Sequence, residues 1–415
     1  MIAFFGDFLI VLIRLKYFII KKLDLLIKKN DTQIVICAEN LSDNIFYFYI
    51  YLSSNLLLKN NITLLTKEKN YDVLKTQFYK KLELVEKNEP YQVSRNIKFI
   101  SFNSILGFKY YLKAKYVIMQ TSDGYFQSYF SNNSKKFYIN FWHGIPMKTI
   151  GNLNIHNKNR NVAKQNFYWD VFLVSSEIEK KFMKNAFNIN DSNIKKLGAP
   201  RYEYLLKNKN NIKFINKIKE HILTDIGFIP KKIVLYAPTY RKWSETLFFP
   251  FQNFDLKDFE LFCYENNILF ILRIHKFEKK NVTKLQDLLK SKYVILADHL
   301  LEMQDYLLIS DILITDYSSS IFDMILLDKP IYLIPYDYDD YKEKRGFTDD
   351  FSGLINEFKL SDMKDLREKI LLDEENGHTY LESIRVLKST YHEYLLINDY
   401  NLSNRIYGEI INNDL

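Results

Sequence analysis

Residues 311–334 read DILITDYSSSIFDMILLDKPIYLI, and the order of their parts decides the fold. A short apolar run, DILIT, gives way to a polar turn, DYSSS. A helical run, IFDMILL, follows, and PIYLI is a second apolar run. Strand, loop, helix, strand is the repeating unit of an α/β protein, in which short apolar runs pair as a parallel sheet and the helices between them cover its faces. The alternation extends upstream through KIVLYA (232–237), LFILRI (269–274) and YVILA (293–297). It appears again earlier in QIVICA (33–38), ITLLT (62–66), IKFIS (97–101), KYVIMQ (115–120), FYINFW (137–142) and DVFLVS (170–175). A helical stretch from Arg201 to Ile226, ended by the punctuation at Gly227–Pro230, parts the strands into two sets. The expectation is two parallel sheets in two domains, residues 31–227 and 228–360. Helices over 361–415 follow, the last of them packing back across the first domain.

Composition sets the outer limits. With 415 residues, 47% hydrophobic and 26% charged, the chain is an ordinary globular protein and neither disordered nor collagen-like. Cys37 and Cys263 are far apart, with no Cys or His at metal-ligand spacing, so neither a disulfide framework nor a zinc site is expected, and the compartment reads as reducing. The net charge of +8 comes from 58 Lys+Arg against 50 Asp+Glu, of which 48 are Lys and 10 Arg. The lysines are scattered, with no aromatic-interleaved basic stripe, so no nucleic-acid partner is expected.

Charge and apolarity are organised together only in residues 1–30, MIAFFGDFLIVLIRLKYFIIKKLDLLIKKN. Asp7, Arg14, Lys21 and Lys28 recur every seven residues, with Lys22 and Lys29 beside the last two, which predicts an amphipathic helix with one polar stripe. The longest uncharged run after Asp7 is too short to span a bilayer, and the charges follow the apolar run, unlike those of a signal peptide. Two readings stand: a helix packed on the protein's own core, or one lying in a membrane interface with its lysines toward anionic headgroups.

In open α/β sheets ligands bind beyond the carboxyl ends of the strands. HGIPMK follows FYINFW there, PTYRK follows KIVLYA, HKFEK follows LFILRI, and DYSSS follows DILIT, so four strand ends converge on one expected site. Arg201, Arg241, Arg273 and Arg345 lie in or beside such segments, and arginine in a lysine-rich chain suggests bidentate donors for phosphate. The serines of DYSSS can cap the helix or form an anion cradle. With Thr239, Arg241 and Arg273 on neighbouring strand ends, a pyrophosphate is the expected occupant. Asp323 either accepts from ribose hydroxyls or favours the helix N-terminus. Neither GxxxxGK[ST] nor GxGxxG is present. His143, between a strand and the Gly144–Pro146 turn with Lys148 beyond, suits a base held against a polar substrate, although a histidine after a strand is often structural. His275, flanked by Arg273 and Lys276, suits a phosphate contact. DYDD (337–340) is too short to argue strongly for a metal, and neither metal nor cofactor is expected.

FWHGIPMKTIG, GAPRYEYL, VLYAPTYR, LRIHK and the long segment from DILITDYSSS to RGFTDDF resemble, in order and approximate spacing, the CDP-glycerol glycerophosphotransferase family of teichoic-acid primases and polymerases. The resemblance covers roughly residues 115–355. It implies a GT-B architecture, two facing Rossmann-like domains with the site between them, peripheral attachment to the cytoplasmic side of the cell membrane, and transfer of a polyol phosphate from a CDP-linked donor to a hydroxyl of a lipid-linked or polymeric glycan acceptor. It also implies a general base at His143, donor-phosphate contacts at His275, Ser318 and Ser319, and a nucleotide-side loop containing Arg241. Lys148 and Arg201 are then expected on the acceptor side. One departure is Lys276, where the family usually has proline after the histidine. The rival enzyme class is a GT-B glycosyltransferase of capsule synthesis, and the rival outside enzymes is a membrane-associated binding protein.

Overall fold

The computed structural model describes residues 15–412, apart from 56–60, 69–70, 89–92, 122–123, 132–134, 156–167, 225, 275–284, 350, 376 and 396–399. Seven strands form the first sheet: β1 (Asn30–Cys37), β2 (Asn61–Thr66), β3 (Ile97–Ser101), β4 (Ala114–Met119), β5 (Phe137–Asn140), β6 (Val171–Val174) and β7 (Ile194–Lys196). Their spatial order is β3-β2-β1-β4-β5-β6-β7, and every pairing is parallel. The second sheet contains β8 (Lys232–Tyr236), β9 (Ile268–Leu272), β10 (Val294–Leu296), β11 (Ile312–Thr315) and β12 (Ile331–Leu333). Its order is β10-β9-β8-β11-β12, again all parallel. Both orders run outward from a central strand in two directions, so each sheet has a switch point, β1/β4 in the first and β8/β11 in the second. A crevice opens at such a point beyond the strand ends.

Eight helices recur below: α1 (15–26), α2 (Asp43–Ser54), α3 (Tyr71–Asn88), α4 (Ile105–Lys113), α5 (Pro200–Asn208), α6 (Met303–Ile309), α7 (Ser320–Leu326) and α8 (Leu402–Tyr407). The apolar runs are continuous because both faces of each sheet are covered. In β1, Ile34 and Ile36 point into one core, while Val35 and Cys37 point into another. In β8, Ile233 and Leu235 enter that same first core, whereas Val234 and Tyr236 face a third. The core shared by Ile34, Ile36, Ile233 and Leu235 therefore runs between the two sheets and joins the domains. The chain's end returns to the first domain: Ser403 N–H donates to Glu203 Oε2 at 2.6 Å, Arg405 Nη2 to the Leu197 carbonyl at 3.0 Å, and the Tyr116 hydroxyl to the Ile411 carbonyl at 2.7 Å. Both cysteines are free and buried.

All eleven expected strands are present within a residue or a few at their ends. A twelfth, β7, was not expected: IKK is an edge strand in which only Ile194 is buried, so it leaves no apolar run to read.

The predicted polar stripe of the N-terminal helix can be followed only over its second half. Residues 1–14 lie outside the described residues. Over 15–26 the helix turns Ile20 and a fully buried Asp24 toward the first domain. Asp24 accepts from Lys136 Nζ at 2.6 Å, Ser131 Oγ at 2.7 Å and Lys29 Nζ at 2.8 Å. Burial alone would raise this carboxyl, but Lys136, Lys29 and Ser131 hold it below its ordinary value, while burial draws Lys136 down to about 8. The docked face is thus mixed, with Ile20 in the first domain's core, Tyr17 packed edge-on against Tyr129, and Asp24 held by its cations. Phe18, 58% exposed, and Leu26, 82% exposed, lie outside with Leu15, Ile19, Leu23 and Leu25. No helix among the described residues is long and apolar enough to cross a membrane.

Candidate active site

The crevices of the two sheets meet in one cleft of about 730 Å³. The first domain contributes the loop after β1 (Asn40–Asp43), α3 through Gln77, Phe78 and Lys81, His143 after β5, and Arg201 on α5. The second contributes Ala237 and Pro238 after β8, Arg273 after β9, residues 298–304 after β10, and Ser318–Ser320 with Asp323 after β11.

His143 sits on a backbone bent to order. Trp142 has φ 51° and Gly144 φ 130°, the latter a conformation that glycine adopts freely. Asn44 Nδ2 donates to the Trp142 carbonyl at 2.8 Å, and Trp142 N–H donates to Asn140 Oδ1 at 2.8 Å, so α2 and the end of β5 hold the turn. The imidazole Nδ1 lies 2.9 Å from the Gln120 carbonyl at the end of β4. A carbonyl only accepts, so Nδ1 carries the hydrogen and Nε2 is the basic atom. Crowding by the cleft walls lowers the pKa of His143, against the Gln120 carbonyl and Asp43, with Arg201 and Lys148 adding to the effect.

Arg201 joins the halves. Its Nη1 donates to the His143 carbonyl at 2.7 Å and to Asp43 Oδ1 at 3.2 Å, while its Nη2 donates to Asp323 Oδ1 at 2.9 Å. Gln304 Nε2 donates to the other oxygen of Asp323 at 3.0 Å. Burial pushes the Asp323 carboxyl up to about 6, against the pull of Arg201. Gly144 has no room for a side chain: a Cβ would lie 2.6 Å from Arg201 Nη2 and 3.2 Å from Ser319 Oγ. The backbone beside His143 thus approaches the DYSSS loop closely. A second link follows, because Thr149 N–H donates to the Gly346 carbonyl at 3.2 Å and Thr348 N–H to the Met147 carbonyl at 3.0 Å, which makes a short antiparallel bridge between Lys148 and Phe347. Burial brings Lys148 down to about 8, opposed by Asp316 and assisted by Arg345 and Arg241.

Of the residues expected at the site, His143, Arg201, Arg273, Ser318, Ser319 and Asp323 line the cleft. Arg273 donates from Nη2 to the Leu301 carbonyl at 3.2 Å, and its Nη1 has no hydrogen-bond partner among the described residues. That orphaned donor is free for an anion. Arg201 is less an acceptor contact than the clasp between the domains. Asp323, expected at a ribose, instead has its two oxygens taken by Arg201 and Gln304. Arg241 is placed differently from the expectation: it is 1% exposed and outside the cleft lining. It makes a two-pronged pair with Asp337 at 2.6 and 2.7 Å, contacts Asp316 at 2.8 Å, and lies 4.5 Å from the Tyr336 ring centroid. Its charge is spent on fixing the loops after β8, β11 and β12. Thr239 lies beneath with it, its N–H on Asp316 Oδ1 at 2.8 Å. DYDD is likewise committed to cations, Asp337 to Arg241 and Asp340 to Lys344 at 2.6 Å. His275 falls outside the described residues.

Sequence reasoning missed Asp43, Lys81 and Gln304. Asp43 follows β1, another strand end, and that rule would have found it. Lys81, paired across the cleft with Glu302 and 3.6 Å from the Phe46 ring centroid, looks like any helix lysine in the sequence. Among the described residues no cluster of three or more His, Cys, Asp or Glu could hold a metal ion.

The family model described as CDP-Glycerol:Poly(glycerophosphate) glycerophosphotransferase matches residues 20–412. The chain is 27% identical over 282 residues to the teichoic acid glycerol-phosphate transferase of Staphylococcus aureus, an alignment that covers 65% of this chain and 69% of that one. To the teichoic acid ribitol-phosphate polymerase TarL of the same organism it is 29% identical over 223 residues, covering 52% of this chain and only 38% of the polymerase. The solved structure of the wall teichoic acid polymerase TagF superposes with a TM-score of 0.73 at 21% identity, covering 99% of this chain and 97% of that one, a likeness of fold.

Proposed function

The chain belongs to the CDP-glycerol:poly(glycerophosphate) glycerophosphotransferase family, and from that premise we propose that it moves a polyol phosphate, glycerol phosphate foremost, from a CDP-linked donor to a hydroxyl of a lipid-linked or polymeric glycan acceptor, releasing CMP. The observation that carries this reading is the fixed tautomer of His143, whose basic Nε2 belongs to a cleft that the DYSSS loop lines from the other domain. In the proposed reaction the donor's phosphates lie against Ser318, Ser319 and the free Nη1 of Arg273. The acceptor hydroxyl attacks the phosphorus that bears the polyol, the bond from that phosphorus to the oxygen of CMP breaks, and His143 Nε2 takes the hydroxyl proton. Phosphoryl transfer depends on alignment and charge neutralisation, for which the cleft offers the unpartnered Arg273 Nη1 and the hydroxyls of Ser318 and Ser319.

The test is turnover of CDP-glycerol with a lipid-linked or synthetic acceptor. Wild type releases CMP, and His143→Ala binds donor but turns over at least ~100-fold slower. Equal turnover in the variant removes His143 from the chemistry. Release of a nucleoside diphosphate from a nucleotide sugar would favour the glycosyltransferase reading instead.

The exposed apolar face of α1, with Lys22 set among Phe18, Ile19 and Leu26, supports peripheral attachment to an anionic membrane surface on the cytoplasmic side. An exposed apolar face that carries a basic residue is costly in water and suits a headgroup interface.

A further inference from the structure

We propose that Gln304 is a specificity-determining residue of this site, its side-chain carbonyl accepting a hydrogen bond from a hydroxyl of the bound donor, on the ribose or on the polyol. The inference rests on the reading above that a CDP-linked polyol occupies the cleft.

Gln304, in the first turn of α6, is 2% exposed and lines the cleft. Its amide has one orientation. Nε2 donates to Asp323 Oδ2 at 3.0 Å, and turning the group over would set its carbonyl against a carboxylate already engaged by Arg201. The orientation leaves Oε1 buried, with no hydrogen-bond partner among the described residues. A buried acceptor without a donor is unfavourable until something supplies one.

The neighbouring orphans sharpen the chemistry. Arg273 Nη1 and Arg201 Nε are also buried without hydrogen-bond partners, and both are donors, which suit phosphate oxygens. Gln304 Oε1 is the acceptor that lines the cleft beside them, and it calls for O–H. Its position narrows the choice further. Asp323, which holds the amide, is about one helical turn beyond Ser319. Asp323 is also joined through Arg201 to the His143 carbonyl. Gln304 therefore belongs to the phosphate end of the cleft, where a CDP-linked polyol carries the hydroxyls of its ribose on one side of the pyrophosphate and those of the polyol on the other.

The experiment compares CMP release by wild type, Gln304→Met and Gln304→Asn on CDP-glycerol, its 2′-deoxy and 3′-deoxy ribose analogues, and CDP-propanediols lacking one glycerol hydroxyl. Wild type is expected to lose about 10- to 100-fold in kcat/KM on one of these deoxy donors. Both variants are expected to be slower by a similar factor on CDP-glycerol and to treat that deoxy donor and CDP-glycerol alike. A ribose analogue in that role identifies the ribose, and a propanediol identifies the polyol. Equal use of every donor by wild type overturns the inference, which keeps it falsifiable even if neither variant folds. So does a variant that keeps the wild-type discrimination. If wild type releases no CMP from any CDP-linked donor, the transferase reading fails first and the inference falls with it.

Discussion

A histidine held through Nδ1 on a backbone carbonyl can act only through Nε2, and its lowered pKa has a direction that kinetics can read. His143 works as the free base, so kcat/KM should fall as the pH drops through a value below the ordinary imidazole 6.5. The alkaline side belongs to Lys148. With a pKa of about 8 it loses its positive charge as the pH rises through that value, and with it the attraction between that charge and Asp316 of the DYSSS loop. The expected profile is a bell with limbs below 6.5 and near 8, and Lys148→Met should flatten the alkaline limb while leaving the acid one. An unchanged alkaline limb would release Lys148 from any role in turnover. At this scale the sequence was legible wherever a residue followed a strand: His143, Ser318, Ser319 and Arg273 all announced themselves by place. Arg241 shared that place but is spent on Asp337 and Asp316, partners that only folding brings to it. Gln304 carried no signal, because its meaning lies in which of its two amide atoms Asp323 leaves free.

Among elements, α5 and α7 meet through one buried ion pair, Arg201 with Asp323. Removing one partner of such a pair strands the other charge, so Arg201→Met and Asp323→Asn should each cost ~3 kcal/mol in urea denaturation, and the double variant well under the sum. Strictly additive costs would mean that the two are not coupled. The strands themselves were readable from continuous apolar runs, since sheets covered on both faces write themselves that way. β7 was not, because an edge strand with a single buried residue leaves no run. Which face of α1 docks was left open for a related reason. Periodicity reports which residues share a stripe, and Asp24 was buried by Lys136 and Ser131, more than a hundred positions away.

For the whole molecule, α1 is docked through Ile20, Tyr17 and the ion-paired Asp24, and it presents Phe18, Ile19, Leu23, Leu25 and Leu26 outward. Phe18→Ser with Leu26→Ser should reduce co-sedimentation with anionic vesicles several-fold. The same change should leave CMP release with a soluble acceptor unaffected and move stability by no more than ~0.5 kcal/mol, as expected for exposed sites. Vesicle binding that survives the double change would place the attachment elsewhere. The two parallel sheets and the converging strand ends were legible in the chain's alternation. The way the domains are fastened was not.

That fastening centres on residues 143–149, which belong by connectivity to the first domain but are tied to the second at both ends. Arg201 and Asp323 hold one end, and the Thr149–Gly346 and Thr348–Met147 bonds hold the other. When the halves part, this segment must release its grip on one of them. Parting them would also expose the apolar core that Ile34 and Ile36 share with Ile233 and Leu235, so the backbone beside His143 is fastened by polar bonds on top of a hydrophobic seam, and the two halves of the cleft behave as one body around it.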